Sequence, residues 1–146
     1  KGVQTAEDAE IALEHGVDVI YVSNHGGRQM DHGDGTISIL KEVATVVGDQ
    51  AEIVVDGGFV RGTDVLKAIS IGATAVALGR FQGWALAAGG QATLVRALEI
   101  MEAEIKNAMG LVGVTSIDEL DSNFVIRSVQ VITCVTSFCN PIFLAT

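Results

Sequence analysis

The segment EIVVDGGFVRG, Glu52 to Gly62, runs from a short β-branched stretch into a turn with two adjacent glycines. Glu52 to Asp56 reads as a buried strand, because it is brief, apolar and closed at once by turn residues. TDVLKAISI, Thr63 to Ile71, then carries helical spacing and is ended by Gly72. The same order returns immediately. TAVAL, Thr74 to Leu78, is a second strand, and GRFQG, Gly79 to Gly83, is its turn. A long helix is expected from about Gln91 to Met109, where Leu94, Leu98, Met101, Ile105 and Met109 recur at three- and four-residue spacing.

Upstream of Glu52 the pattern is also present. VDVIYV, Val17 to Val22, is a strand, and the polar, glycine-rich SNHGGRQMDHGDG after it is a long loop. A helix from about Ser38 to Val47 follows, ended by Gly48. Before Val17, TAEDAEIAL (Thr5 to Leu13) is a helix with Thr5 as N-cap and Asp8 completing the cap, and Gly16 ends it. Lys1-Gly2-Val3 reads as the stump of a further strand. VTSIDEL, Val114 to Leu120, is a short extra helix capped by Thr115 or Ser116.

Strands that each lead into a helix make βα units and a parallel sheet. The loops after the strands carry the Gly, His, Arg and Asp residues, while those after the helices are brief. That asymmetry belongs to a barrel or a doubly wound sheet whose chemistry lies at the C-terminal ends of its strands. A complete (β/α)8 barrel needs about 250 residues, so about four βα units, half a barrel, are expected in these 146. Residues 1–123 form that half, and 124–146 form an apolar, β-prone tail to which the sequence assigns no role. The first residue is Lys1 rather than Met, so either processing or a missing N-terminal part is expected. No charged and then apolar opening suggests a secretory signal.

Composition narrows the partners. Eighteen acidic and nine basic residues give a net charge of −9, which repels a nucleic-acid backbone or an anionic membrane. A small anionic ligand remains compatible if a few arginines gather in one cleft. Cys134 and Cys139 lack metal-ligand spacing, so no metal site is expected; they read as thiols of a reducing, cytoplasmic compartment. The mean hydropathy is +0.43, yet no apolar run reaches the ~18 residues of a membrane span.

Ser23-Asn24-His25-Gly26-Gly27-Arg28-Gln29 carries the most chemistry. His25 follows a buried strand and can accept a proton near neutral pH, and Arg28 offers a planar fork for a carboxylate. A base beside a carboxylate anchor is what oxidation of a hydroxy acid requires. On the residues alone, a lone loop histidine is more often structural, and Arg28 could equally be a surface ion-pair partner. Asp56-Gly57-Gly58 with Arg61, and Gly79-Arg80, follow the next two strands, where barrels commonly bind phosphate through loop amides and a helix N-terminus. Asp56 could accept hydrogen bonds from polyol hydroxyls. The alternative reading is tight turns with no ligand.

Together the segments KGVQTAEDAEIALEHG, VSNHGGRQMD, DGGFVRGTDVLKAISIGATAV and LGR resemble the FMN-dependent 2-hydroxy-acid dehydrogenase and oxidase family, which includes glycolate oxidase, lactate oxidase, mandelate dehydrogenase and flavocytochrome b2. The likeness runs from Lys1 to about Leu120, and SNHGGRQ is its most specific part. The resemblance implies FMN as cofactor and oxidation of a small 2-hydroxy acid. It implies that Lys1 lies near flavin N1 and O2, and that Ser23 touches the flavin. It makes His25 the base for the substrate hydroxyl and Arg28 the grip on the carboxylate. Asp56 becomes the ribityl contact; Gly57, Gly58, Arg61, Gly79 and Arg80 form the phosphate end. It also implies a homo-oligomer and leaves oxygen, a quinone or a cytochrome open as electron acceptor. Two positions depart from the family pattern: Val60-Arg61 stands where two arginines are frequent, and Phe81 where proline is. Other FMN barrels, such as type 2 isopentenyl-diphosphate isomerase, share the phosphate turns but not SNHGGRQ. An inactive phosphate-binding half-barrel, or a module that assembles with another half, is the reading from a different class.

Overall fold

The computed structural model describes residues 1–126. In chain order its elements are α1 (Ala6–Glu14), β1 (Val19–Val22), α2 (Thr36–Val47), β2 (Glu52–Val55), α3 (Gly62–Ile71), β3 (Ala75–Val76) and α4 (Arg80–Val112). The three strands form a parallel sheet in the order β1-β2-β3. Val19 pairs with Glu52 and Val22 with Val55, while Val54 and Val55 pair with Ala75 and Val76. Val3 makes a single parallel bridge to Val22, so the expected strand stump runs beside β1.

The side chains of β1 and β2 alternate, as a pleated strand requires. Ile20, Val22, Ile53 and Val55 are buried. They share one core with Ile39, Leu40, Val43 and Val47 of α2 and Ala68 of α3. Full burial of Leu40, Val43 and Val47 stabilises by roughly 1.5–3 kcal/mol each. Tyr21 and Val54, on the other face of the sheet, are only half-buried. The candidate site lies beyond the C-terminal ends of these strands.

Thr5 caps α1 as expected, its Oγ1 accepting from the Asp8 amide at 3.1 Å. Ser116 caps a single 3-10 turn, Ile117–Glu119, in place of the expected short helix. Two sequence boundaries move further. The strand expected over Thr74–Leu78 shortens to Ala75–Val76, and at its entry the Thr74 hydroxyl accepts the Ile53 amide at 3.0 Å. The stretch read as a turn at Gly79–Gly83 is instead the start of α4. α4 breaks at Gly89 and Gly90, so the periodic helix expected from Gln91 is its second part. Phe124 closes a 3-10 turn, Ser122–Phe124; the rest of the expected tail, from residue 127 on, lies outside the described residues. Among the described residues no helix is long and apolar enough to cross a membrane.

Candidate functional site

The C-terminal ends of all three strands open onto one cavity of about 420 Å³. Lys1 comes to it from the strand stump, His25, Gly26 and Arg28 from the loop after β1, Asp56 to Val60 from the loop after β2, and Gly79 and Arg80 from the turn after β3. The structure therefore gathers eight of the residues the sequence nominates: Lys1, His25, Arg28, Asp56, Gly57, Gly58, Gly79 and Arg80.

The loop after β1 is held by its own polar side chains. Buried Ser23 accepts the His25 amide on its Oγ at 3.1 Å, and Asn24 accepts the Gly26 amide on Oδ1 at 2.9 Å. The Asn24 amide group donates to the Asp34 carbonyl at 3.2 Å and ties the far end of the loop down. These bonds hold His25 at φ 55°, a left-handed conformation that non-glycine residues seldom adopt. Backbone strain of this kind persists where the surroundings impose it, and it concentrates at functional sites. Ser23 itself lies behind the cavity and faces a neighbouring hollow of about 400 Å³ with Lys1, His25 and Gln29.

Asp56 sits at the floor. Its amide donates to Val22 at 3.2 Å, its carbonyl accepts from the hydroxyl of buried Thr36, and its Oδ2 lies 3.2 Å from Lys1 Nζ. Its Oδ1 is buried and accepts no hydrogen bond among the described residues. An acceptor in that state is open to a donor from water or from a bound molecule. The Lys1 ammonium also lies 4.6 Å from the centre of the Tyr21 ring. The Asp56 carboxylate raises the Lys1 pKa above its ordinary value, and burial, followed by the same carboxylate, raises that of Tyr21.

Gly57 turns the chain at φ 106°, and a Cβ there would fall 2.8 Å from Thr36 Oγ1. The glycine keeps this wall of the cavity as bare backbone. On the opposite wall the Arg80 guanidinium packs against Gly26, where a Cβ would come within 3.2 Å of it. Arg28 and Arg80 make no ion pair with any of the described residues. In a chain of net charge −9, two guanidinium groups without a carboxylate partner among the described residues give this cavity a local positive charge that suits an anion.

Arg61 requires a correction. It does not line the cavity; it reaches to α4, its Nη2 2.6 Å and its Nε 3.1 Å from the Glu104 carboxylate. That bond raises the Arg61 pKa and lowers that of Glu104, which also accepts the Gly62 amide at 2.8 Å. Sequence reasoning also missed cavity residues: Phe59, Phe81 and Trp84 supply its apolar surface. Phe81 and Trp84 follow Arg80 within the first turn of α4, and the i, i+4 spacing of Arg80 and Trp84 was the available signal. Among the described residues no cluster of His, Cys, Asp and Glu is placed to hold a metal.

The model of the FMN-dependent dehydrogenase family matches residues 1–127. The chain belongs to this family. It is 42% identical over 125 residues to a 2-hydroxyacid oxidase of Dictyostelium discoideum, covering 86% of this chain and 32% of the relative. An L-lactate oxidase of a Nostoc species is 42% identical over 124 residues, covering 85% of this chain and 34% of that one. A crystal structure of mandelate oxidase with (S)-2-phenylpropionate superposes with a TM-score of 0.78 at 45% identity, over 80% of this chain and 35% of that one. This chain thus spans about a third of the length of the relatives it matches. FMN is the cofactor of the family, and SNHGGRQ and the two glycine turns lie inside the matched region.

Proposed function

We propose that this chain is the C-terminal part of an FMN-dependent enzyme that oxidises a small 2-hydroxy acid to the 2-oxo acid. One observation carries the reading: Lys1, Arg28 and Arg80 converge with His25 on one cavity, and neither arginine has a carboxylate partner among the described residues. An anionic cofactor and a carboxylate substrate would supply the missing negative charge. The names of the relatives point the same way, since they are 2-hydroxyacid and lactate oxidases.

The residues present fit FMN. The bare backbone at Gly57 and Gly58, together with Gly79 and Arg80, suits its phosphate. The unpartnered Asp56 Oδ1 suits a ribityl hydroxyl. Lys1, beside Asp56, brings positive charge to the ring system. Bound FMN supplies the two-electron acceptor; the chain's own residues handle the substrate. Arg28 holds the carboxylate through its planar fork, which orients the α-carbon. His25 takes the hydroxyl proton as electrons leave that carbon, and its strained turn fixes where the imidazole stands. Ser23 acts from behind by holding the His25 amide.

The remaining strands of the (β/α)8 barrel belong to the part of the enzyme outside this chain. In support, parallel sheets are ordinarily covered on both faces, whereas the Tyr21 and Val54 face here stays half-open. We take oxygen as the acceptor, in line with the word oxidase in the relatives' names. The test is rapid-mixing reduction of the flavin in the intact protein with lactate, glycolate and mandelate. His25→Ala should slow reduction at saturating substrate by about 10²–10⁴-fold while flavin stays bound. Arg28→Lys should chiefly weaken substrate affinity, because it keeps the charge and loses the fork. A wild-type protein that takes up no FMN, or a His25→Ala variant that reduces at the normal rate, would refute the assignment.

A further inference from the structure

Lys1 is held by two different groups. Asp56 Oδ2 is 3.2 Å from its ammonium, and the face of Tyr21 lies 4.6 Å from it. The side chain of Lys1 remains half exposed, so one ion pair alone leaves a long, flexible chain poorly fixed. Tyr21 stands at the third position of β1, on the sheet face opposite buried Ile20 and Val22. Its backbone carbonyl accepts the amides of Gly2 at 3.0 Å and Val3 at 3.2 Å. The strand that carries Lys1 and the ring beneath its ammonium are thus fixed by the same residue.

We propose that Tyr21 is a positioning residue for Lys1: its ring holds the ammonium over the cavity floor, at the place where the charge of reduced FMN must be met. This rests on the reading that FMN fills the cavity. A ring face attracts a cation through its quadrupole and demands no proton from it, so the ammonium keeps its N–H donors for Asp56 and for a ligand. Asp56 supplies the opposing charge, and Tyr21 supplies a surface that Lys1 cannot leave without losing that attraction. The raised Lys1 pKa, whose largest cause is the Asp56 carboxylate, agrees with an ammonium held beside Asp56.

The experiment compares Tyr21→Phe, which keeps the ring, with Tyr21→Ile, which keeps a strand-forming apolar side chain and loses the ring. Two measurements are made on the intact protein. The first is titration of the Lys1 ammonium by NMR in the cofactor-free protein. The second is anaerobic binding of FMN, oxidised and dithionite-reduced. Tyr21→Ile should weaken proton binding by Lys1, and the preference for reduced over oxidised FMN, by about twofold to thirtyfold. Tyr21→Phe should stay within about twofold of wild type, since the quadrupole remains. A purely structural role would lower both FMN affinities equally and leave the preference unchanged. That result, or a Tyr21→Phe variant that falls as far as Tyr21→Ile, overturns the proposal. If Tyr21→Ile does not fold, the Tyr21→Phe comparison decides alone: retention supports the ring and loss overturns it. A wild-type protein that binds no FMN refutes the proposed function, whereas the Lys1 titration still decides for or against Tyr21.

Discussion

Gly62→Ala should destabilise the protein, although alanine is the better helix former. Gly62 is the first residue of α3 and its φ is not left-handed, so alanine suits the local backbone. Propensity alone would then favour the change by up to ~1 kcal/mol. Packing opposes it. A Cβ at Gly62 would lie 2.6 Å from the Ile105 amide nitrogen, 2.7 Å from Glu104 Cβ and 2.9 Å from the Glu104 carbonyl carbon. None of these atoms can rotate away. α3 and α4 must separate by roughly 1 Å to restore ordinary carbon contacts of ~3.5–4.0 Å. Overpacking of this kind costs about 1–3 kcal/mol, so after the propensity gain a net loss of up to about 2 kcal/mol is left. The separation also strains the 2.8 Å bond from the Gly62 amide to Glu104. Gly110→Ala is the internal control, because nothing lies within 4 Å of a Cβ there and its φ is also not left-handed. It should stabilise by about 0.4–1 kcal/mol. Urea unfolding midpoints of the two variants of the intact protein should therefore move in opposite directions. A Gly62→Ala midpoint at or above wild type would show that α4 gives way freely, and the reasoning would fail.

Thr36→Val should cost about 1–3 kcal/mol despite its matched shape, because the Thr36 hydroxyl donates to the Asp56 carbonyl and its loss leaves that acceptor unpaired. Urea midpoints check it, and an unchanged midpoint would mean that water replaces the hydroxyl. The Arg61–Glu104 clasp should make stability acid-sensitive. Glu104 is held below its ordinary value of 4.5, first by Arg61 and then by the Gly62 amide, so its contribution is fully present above that pH. It is lost as pH falls through the folded-state value, where the carboxylate takes up a proton. Unfolding midpoints measured from pH 6 to pH 3 should decline more steeply for wild type than for Glu104→Gln; parallel curves would rule the clasp out as the cause.

Much of this was readable in the sequence, for reasons that differ by element. β1 and β2 are short β-branched runs whose neighbours are glycine-rich, so their position follows from burial and turn chemistry together. β3 was readable as a strand and not in length. The threonine at its entry accepts a strand amide on its own hydroxyl, and periodicity carries no trace of that bond. The beginning of α4 was hidden by composition. Gly79 and Gly83 flank Arg80-Phe81-Gln82 and read as a turn, yet Gly83 lies within the helix. Helix propensity disfavours glycine by only about 1 kcal/mol, which the surrounding structure can override. That single misreading concealed Phe81 and Trp84, and with them the apolar wall of the cavity.

Arg61 illustrates a limit of another kind. Its sequence position, after a glycine turn and before a helix, is where a phosphate-binding arginine belongs. The anion-binding capacity of that helix start is nevertheless spent within the protein. Asp64 Oδ2 accepts the Arg61 amide at 3.0 Å and the Val60 amide at 3.3 Å, while Glu104 takes the Gly62 amide and the guanidinium. A phosphate arriving there would meet two carboxylates in place of free donors. Asp64 was visible three residues after Arg61, as a capping acid. Glu104 was not, because it lies 43 residues downstream on a helix whose approach only the packing at Gly62 permits. On the proposed reading the phosphate would fall to the Gly57-Gly58 backbone and the Gly79-Arg80 turn. On the same reading Asp56, whose Oδ2 pairs with Lys1, keeps its Oδ1 for a neutral hydroxyl.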